Sequence, residues 1–153
     1  VGAFFRTCDG LGVNKIIFSG YTPYPKLEAD TRLPHFADKI TRQIHKTALG
    51  AETTVPFERF DTIEEAVEKH KESTFIALEQ HPSSKIPAEL TKILKDKKVA
   101  NAVLILGNEI HGVSEDVLSE VDYIMEIPMK GDKESFNVSI ACGIALYELT
   151  KSI

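Results

Sequence analysis

Residues 102–114 read AVLILGNEIHGVS. Five apolar residues without a polar interruption describe a strand buried on both faces, and the run stops abruptly at Gly107. A glycine, an amide and a carboxylate then follow in order, with a second glycine at Gly112. A buried strand feeding a loop of this kind belongs in a parallel sheet, where ligands bind at the carboxyl ends of strands.

The neighbouring segments extend that pattern. TFIAL (74–78), YIMEI (123–127) and KIIF (15–18) read as further strands, and TVPFERF (54–60) is strand-like. Between them lie helical periods: VGAFFRTCDGLG closed by Gly12, ADKITRQIHKTALG (37–50), TIEEAVEKHKE (62–72), IPAELTKILKDKK (86–98), SEDVLSEV (114–121) and the last helix from Asn137. Residues 19–36 hold three prolines and read as one long loop. Strands alternating with helices predict an α/β fold with a mostly parallel sheet and helices on both faces, as one domain over residues 1–153. Three loops then leave carboxyl strand ends, at 79–85, 107–113 and 128–136.

Composition bounds the function. The chain has 153 residues, 42% of them hydrophobic, which is enough for a core. No apolar run nears the roughly 20 residues of a membrane span, so no membrane partner is expected. No basic-then-apolar leader opens the sequence, and a cytoplasmic location is expected. Cys8 and Cys142 lack metal-ligand spacing and read as packed, reduced thiols; no metal site is expected. The net charge of −5 hides a gradient. Residues 1–50 carry seven Lys and Arg against four Asp and Glu, whereas residues 101–153 carry three against nine. A polyanion responds to a local basic face, and the first third can supply one. Neither G-x-G-x-x-G nor a phosphate loop occurs. Gly107 and Gly112 have the phosphate-loop spacing, but Val113 stands where its lysine belongs.

VGAFFRTCDGLGV, LILGNEIHGVS and IPMKGDKESFNVSIACGIALYE together resemble, in order, the three motifs of the SpoU family of RNA ribose 2′-O-methyltransferases, in the SPOUT superfamily. The resemblance runs to about Leu149. The family's first motif has an asparagine ahead of the position of Val1, so upstream residues are expected. Ile110-His111 stand where the family has glycine or a basic residue, and Phe136 where it has leucine.

The resemblance implies a C-terminal deep trefoil knot, S-adenosylmethionine as methyl donor, tRNA or rRNA as substrate, and a homodimer. It implies Arg6, Glu109, Ser135 and Asn137 as catalytic residues. Leu78, Glu79, Gly107, Ile127, Met129 and Phe136 are implied around the cofactor. Plainer readings stand beside these. Gly107 also suits a simple turn, Ile127, Met129 and Phe136 suit a core, and helix capping accounts for one of Ser135 and Asn137. Arg6 off the apolar stripe of its helix is also what an ordinary exposed arginine looks like.

Lys39, Arg42 and Lys46 recur opposite the Ile40/Ile44 stripe, forming either a solvated face or, with Arg32 and Arg6, a surface for RNA phosphates. An RNA-binding SPOUT domain that binds S-adenosylmethionine without transferring methyl is the alternative function, and the intact quartet of Arg6, Glu109, Ser135 and Asn137 counts against it. A nucleotide-binding regulatory domain is disfavoured by the missing phosphate loop.

Overall fold

The computed structural model describes residues 1–108 and 110–152. The chain forms two compact units, Val1–His70 and Lys71–Ile153. Among the described residues all strand pairing is parallel, but the strands divide into two ladders, one in each unit. The expectation of a parallel α/β fold holds at that level.

In the first unit the order is α1 (Gly2–Gly10), β1 (Ile16–Ser19), α2 (Pro34–Ala48), α3 (Ala51–Thr54), β2 (Phe57–Phe60) and α4 (Ile63–Lys69). β1 pairs with β2 from Ile16↔Phe57 to Ser19↔Phe60. Phe5, Phe18 and Phe57 pack with centroids 5.6–5.9 Å apart, Phe57 edge to face with the other two, joining α1 to both strands. Such contacts contribute about 0.5–1.5 kcal/mol per pair beyond burial. Gly2 marks where α1 meets α2: a Cβ there would lie 2.1 Å from Thr47 Oγ1 and 2.3 Å from the Ile44 carbonyl oxygen. Burial pushes the thiol of Cys8 up to about 11, so it stays protonated and unreactive.

α2 starts one turn earlier than its periodicity predicts. Pro34 takes the first helical position, where a missing N–H costs no hydrogen bond. Its end also differs: Leu49 adopts the left-handed conformation at φ 54°, and Gly50 opens the short α3 instead of closing α2. Four residues are too few to show a helical period in sequence.

The second unit runs β3 (Thr74–Leu78), α5 (Pro87–Asp96), β4 (Ala102–Leu106), α6 (Glu115–Glu120), β5 (Tyr123–Met125) and α7 (Val138–Leu149). The strand order is β4-β3-β5. Successive residues Phe75, Ile76 and Ala77 are all buried, so β3 is covered on both faces. On one face Ile76 and Met125 meet Leu90 and Leu94 of α5 and Ala145 and Leu149 of α7. Leu90 and Leu94 are fully buried, and burial of each contributes about 1.5–3 kcal/mol. Among the described residues no helix is long and apolar enough to cross a membrane.

Candidate active site

β3 lies between β4 and β5, so the loops at 79–85, 107–113 and 128–136 all leave the same end of one parallel ladder. Glu79 and Gln80, directly after β3, hold the other two loops. The Glu79 N–H donates to the Met125 carbonyl at 3.0 Å, extending the ladder by one bond. The Glu79 carboxylate accepts from the Val113 N–H at 2.9 Å and from the Gln80 N–H at 2.9 Å. The Gln80 side-chain amide donates to the Glu134 carbonyl at 2.5 Å. Lys85 closes the far end of its loop, donating from its N–H to the Ile124 carbonyl and accepting from the Glu126 N–H.

The 107–113 loop is a tight closed turn. Asn108 Oδ1 accepts from the N–H groups of Ile110 and His111 at 2.9 and 2.7 Å, and the Gly112 N–H donates back to the Asn108 carbonyl. A Cβ on Gly107 would come 2.0 Å from the Gly112 carbonyl carbon and 2.4 Å from the Val113 nitrogen. Glycine is therefore required at 107 by the loop's own closure. Gly112 has φ +64°, and a Cβ there would meet the Glu79 carboxylate oxygen at 2.1 Å. Glu109 lies outside the described residues.

In the third loop, Ile127 and Met129 are partly buried, and Phe136 is exposed just before α7. Half-buried Leu78 ends β3 and packs against the core of the second unit. Asn137 caps α7: its Oδ1 accepts from the Ser139 N–H at 3.0 Å and from the Ser139 hydroxyl at 2.7 Å. Capping thus accounts for Asn137. Ser135 is exposed, and its hydroxyl has no partner among the described residues. No group of three His, Cys, Asp or Glu side chains able to hold a metal ion occurs among the described residues.

Arg6 belongs to the first unit, exposed on α1, with no ion pair among the described residues. Lys39, Arg42 and Lys46 are likewise exposed along α2 and carry no ion pair among the described residues. Arg32 differs from the expected phosphate contact. Its guanidinium donates to both carboxylate oxygens of Asp30 and to the carbonyls of Tyr24 and Pro25, and it lies 3.7 Å over the Tyr24 ring. Donors occupied in this way brace the loop and are not free for phosphate. The Arg32 guanidinium, working against burial, holds the Asp30 carboxyl well below the usual carboxylate range.

Sequence reasoning did not single out Gln80, Asp30 or Gly2. A polar pair placed directly after an all-apolar strand was the signal available for Gln80. Nothing local announces a helix crossing at Gly2 or the partner of Arg32.

Similar chains have been characterised. A 23S rRNA (guanosine-2'-O-)-methyltransferase RlmB of Coxiella burnetii is 29% identical over 152 residues, covering 99% of this chain and 53% of that protein. The chain therefore spans about half the length of that relative. The crystal structure of a TrmH/SpoU tRNA modifying enzyme of A. aeolicus superposes with TM-score 0.71 at 26% identity, covering 99% of this chain and 67% of the other. An AdoMet-bound rRNA methyltransferase from Sinorhizobium meliloti superposes with TM-score 0.71 at 26% identity, over 98% of this chain and 50% of that one. The family described as "SpoU rRNA Methylase family" matches residues 1–147, and the chain belongs to it.

Proposed function

We propose that residues 1–153 form one SPOUT methyltransferase domain that transfers the methyl group of S-adenosylmethionine to a ribose 2′-hydroxyl of tRNA or rRNA. The observation that carries this reading is the junction at Glu79 and Gln80, which binds all three strand-end loops together. Those loops bear the second and third family motifs. Leu78, Ile127, Met129 and Phe136 flank the cofactor, and Gly107 lets its loop close to the shape the cofactor needs. Glu79 acts through the loop it braces. S-adenosylmethionine supplies an electrophilic methyl group on a sulfonium centre.

A ribose hydroxyl must lose its proton as its oxygen takes the methyl. Guanidinium, with a pKa of about 12.5 or more, is a poor base. Arg6 therefore positions the hydroxyl and stabilises the oxygen while the proton passes to solvent water. Glu109, Ser135 and Asn137 complete the catalytic group, with Asn137 serving both as cap and as contact. Lys39, Arg42 and Lys46 bind RNA phosphates.

The working unit is a cytoplasmic homodimer. Ile140 and Tyr147 of α7 are 55% and 56% exposed, and half-buried Ile144 lies between them on the same helical stripe. An apolar stripe of that kind has a destination in a second copy. The C-terminal segment threads a deep trefoil knot. The crossover of the chain from β4 past β3 to β5, and the return of α7 onto β4, support that path.

The test is incubation with radiolabelled S-adenosylmethionine and bulk tRNA or rRNA, followed by nuclease mapping. A nuclease-resistant 2′-O-methylated dinucleotide is expected. Tight cofactor and RNA binding with no transfer to either RNA would favour the non-catalytic alternative.

A further inference from the structure

The loop at residues 20–33, between β1 and α2, is long for a segment without regular structure, yet it is fastened throughout. Asp30 accepts from the N–H groups of Leu27 and Arg32 as well as from the Arg32 guanidinium. Lys26 ties the loop to α2: its N–H donates to Thr41 Oγ1 at 2.8 Å and its ammonium to Asp38 at 2.9 Å. Arg59 of β2 donates to the Gly20 carbonyl at 3.1 Å and approaches the Tyr24 ring from 5.5 Å.

Against this bracing, the Tyr21 ring is fully exposed, and Phe36 on the first turn of α2 is 49% exposed. The two line a single open cleft of about 650 Å³, with Tyr24 and Ile40 also in its wall. The arginines at the cleft are paired with Asp30 and Asp61, so the cleft itself is not an anion site. Lys39 and Arg42, which carry no ion pair among the described residues, stand on the next stripe of α2, beginning at Lys39 beside Ile40. Aromatic faces on a braced loop and on the helix it enters, flanked by a row of cations, are the parts of a single-strand binding surface: bases stack while the backbone follows the charges. A fixed loop loses little conformational entropy when it binds.

We infer that this cleft takes an unpaired nucleobase of a single-stranded RNA segment, with Tyr21 and Phe36 as its stacking faces and Lys39 and Arg42 on the adjoining phosphates. The inference rests on the RNA-methyltransferase reading for the class of partner. It deepens that reading by specifying a looped-out or single-stranded target over a continuous duplex.

The test measures anisotropy of the whole chain, without cofactor, against a fluorescein-labelled single-stranded RNA of about 12 nucleotides and a duplex of the same sequence. The parent is expected to prefer the single strand. Tyr21→Ala and Phe36→Ala should each weaken that binding by about tenfold at unchanged salt dependence. Tyr21→Phe should restore it, which separates stacking from any effect on folding. Lys39→Ala should instead lower the salt slope by about one unit. Equal affinity of parent and Tyr21→Ala, or no single-strand binding by the parent, overturns the proposal. Failure to bind S-adenosylhomocysteine sinks the transferase reading alone, because the RNA affinities are read without cofactor.

Discussion

Glu79 and Gly112 are packed so closely that a Cβ on Gly112 would lie 2.1 Å from the Glu79 carboxylate oxygen. The same oxygen accepts the Val113 N–H at 2.9 Å, so the end of β3 fixes the shape of the loop that follows β4. This contact relates two segments 34 residues apart and ties the end of the candidate cofactor loop to β3. Its consequences can be measured.

Glu79→Ala removes an acceptor shared by two backbone N–H groups, those of Val113 and Gln80. The expected loss of stability is about 1–3 kcal/mol, read from urea unfolding. S-adenosylhomocysteine affinity should fall by about tenfold because the loop is no longer preorganised. Lost stability with unchanged cofactor affinity would remove this loop from the cofactor site.

Gly107→Ala tests closure of the loop on itself. The new methyl would sit 2.0 Å from the Gly112 carbonyl carbon, and that neighbour is backbone, which cannot swing aside. Overpacking of this kind costs about 1–3 kcal/mol, and calorimetry should detect no saturable S-adenosylhomocysteine binding. A variant that folds and binds like the parent would mean that the loop's observed closure is dispensable.

Much of this was legible in the sequence, and the failures share one cause. TFIAL and AVLIL became β3 and β4 with their predicted bounds, because unbroken apolar runs leave little choice of boundary. The three carboxyl-end loops came together because β3 sits centrally in the ladder, an order that no local pattern encodes. Arg32 looked like one more basic residue of the first third. Its commitment to Asp30 and Tyr24 depends on how the loop folds, so charge counting could not separate it from Lys39, Arg42 and Lys46. Gly2 drew no reading from the sequence, and only the crossing with α2 explains it.

Arg32→Ala and Lys46→Ala should therefore differ in kind. Removing Arg32 takes its cation from the Asp30 carboxylate, whose side chain is 4% exposed, and leaves it the N–H donors of the loop, so stability should fall. In the parent, the folded Asp30 carboxyl titrates well below its unfolded value of about 4. Its stabilising contribution is thus fully present above that pH and fades as the pH falls toward the folded value. The stability gap between parent and Arg32→Ala should be wide at neutral pH and should shrink progressively as the pH falls below about 4. Lys46 carries no ion pair among the described residues, and its removal should change stability by less than about 0.5 kcal/mol. It should instead weaken RNA binding and lower the salt slope by about one unit. A Lys46→Ala variant with the parent's salt slope would place the RNA on another face.

Arg6→Ala separates chemistry from binding. Arg6 is exposed on α1 and carries no ion pair among the described residues, so its removal should change stability by less than about 0.5 kcal/mol. Its proposed role is on the RNA hydroxyl and not on the cofactor, so S-adenosylhomocysteine affinity should stay within about twofold of the parent. Methyl transfer should nevertheless fall by at least about 10²-fold, the usual cost of losing one preorganised donor at a developing charge. Arg6→Lys keeps the charge but loses the planar fork that can hold a hydroxyl and a phosphate together, so it should recover only part of the rate. A loss beyond about 10³-fold would mean that Arg6 also helps to draw off the proton. Full activity of Arg6→Ala on an RNA that the parent methylates would remove α1 from the catalytic centre and leave the reaction to the strand-end loops alone.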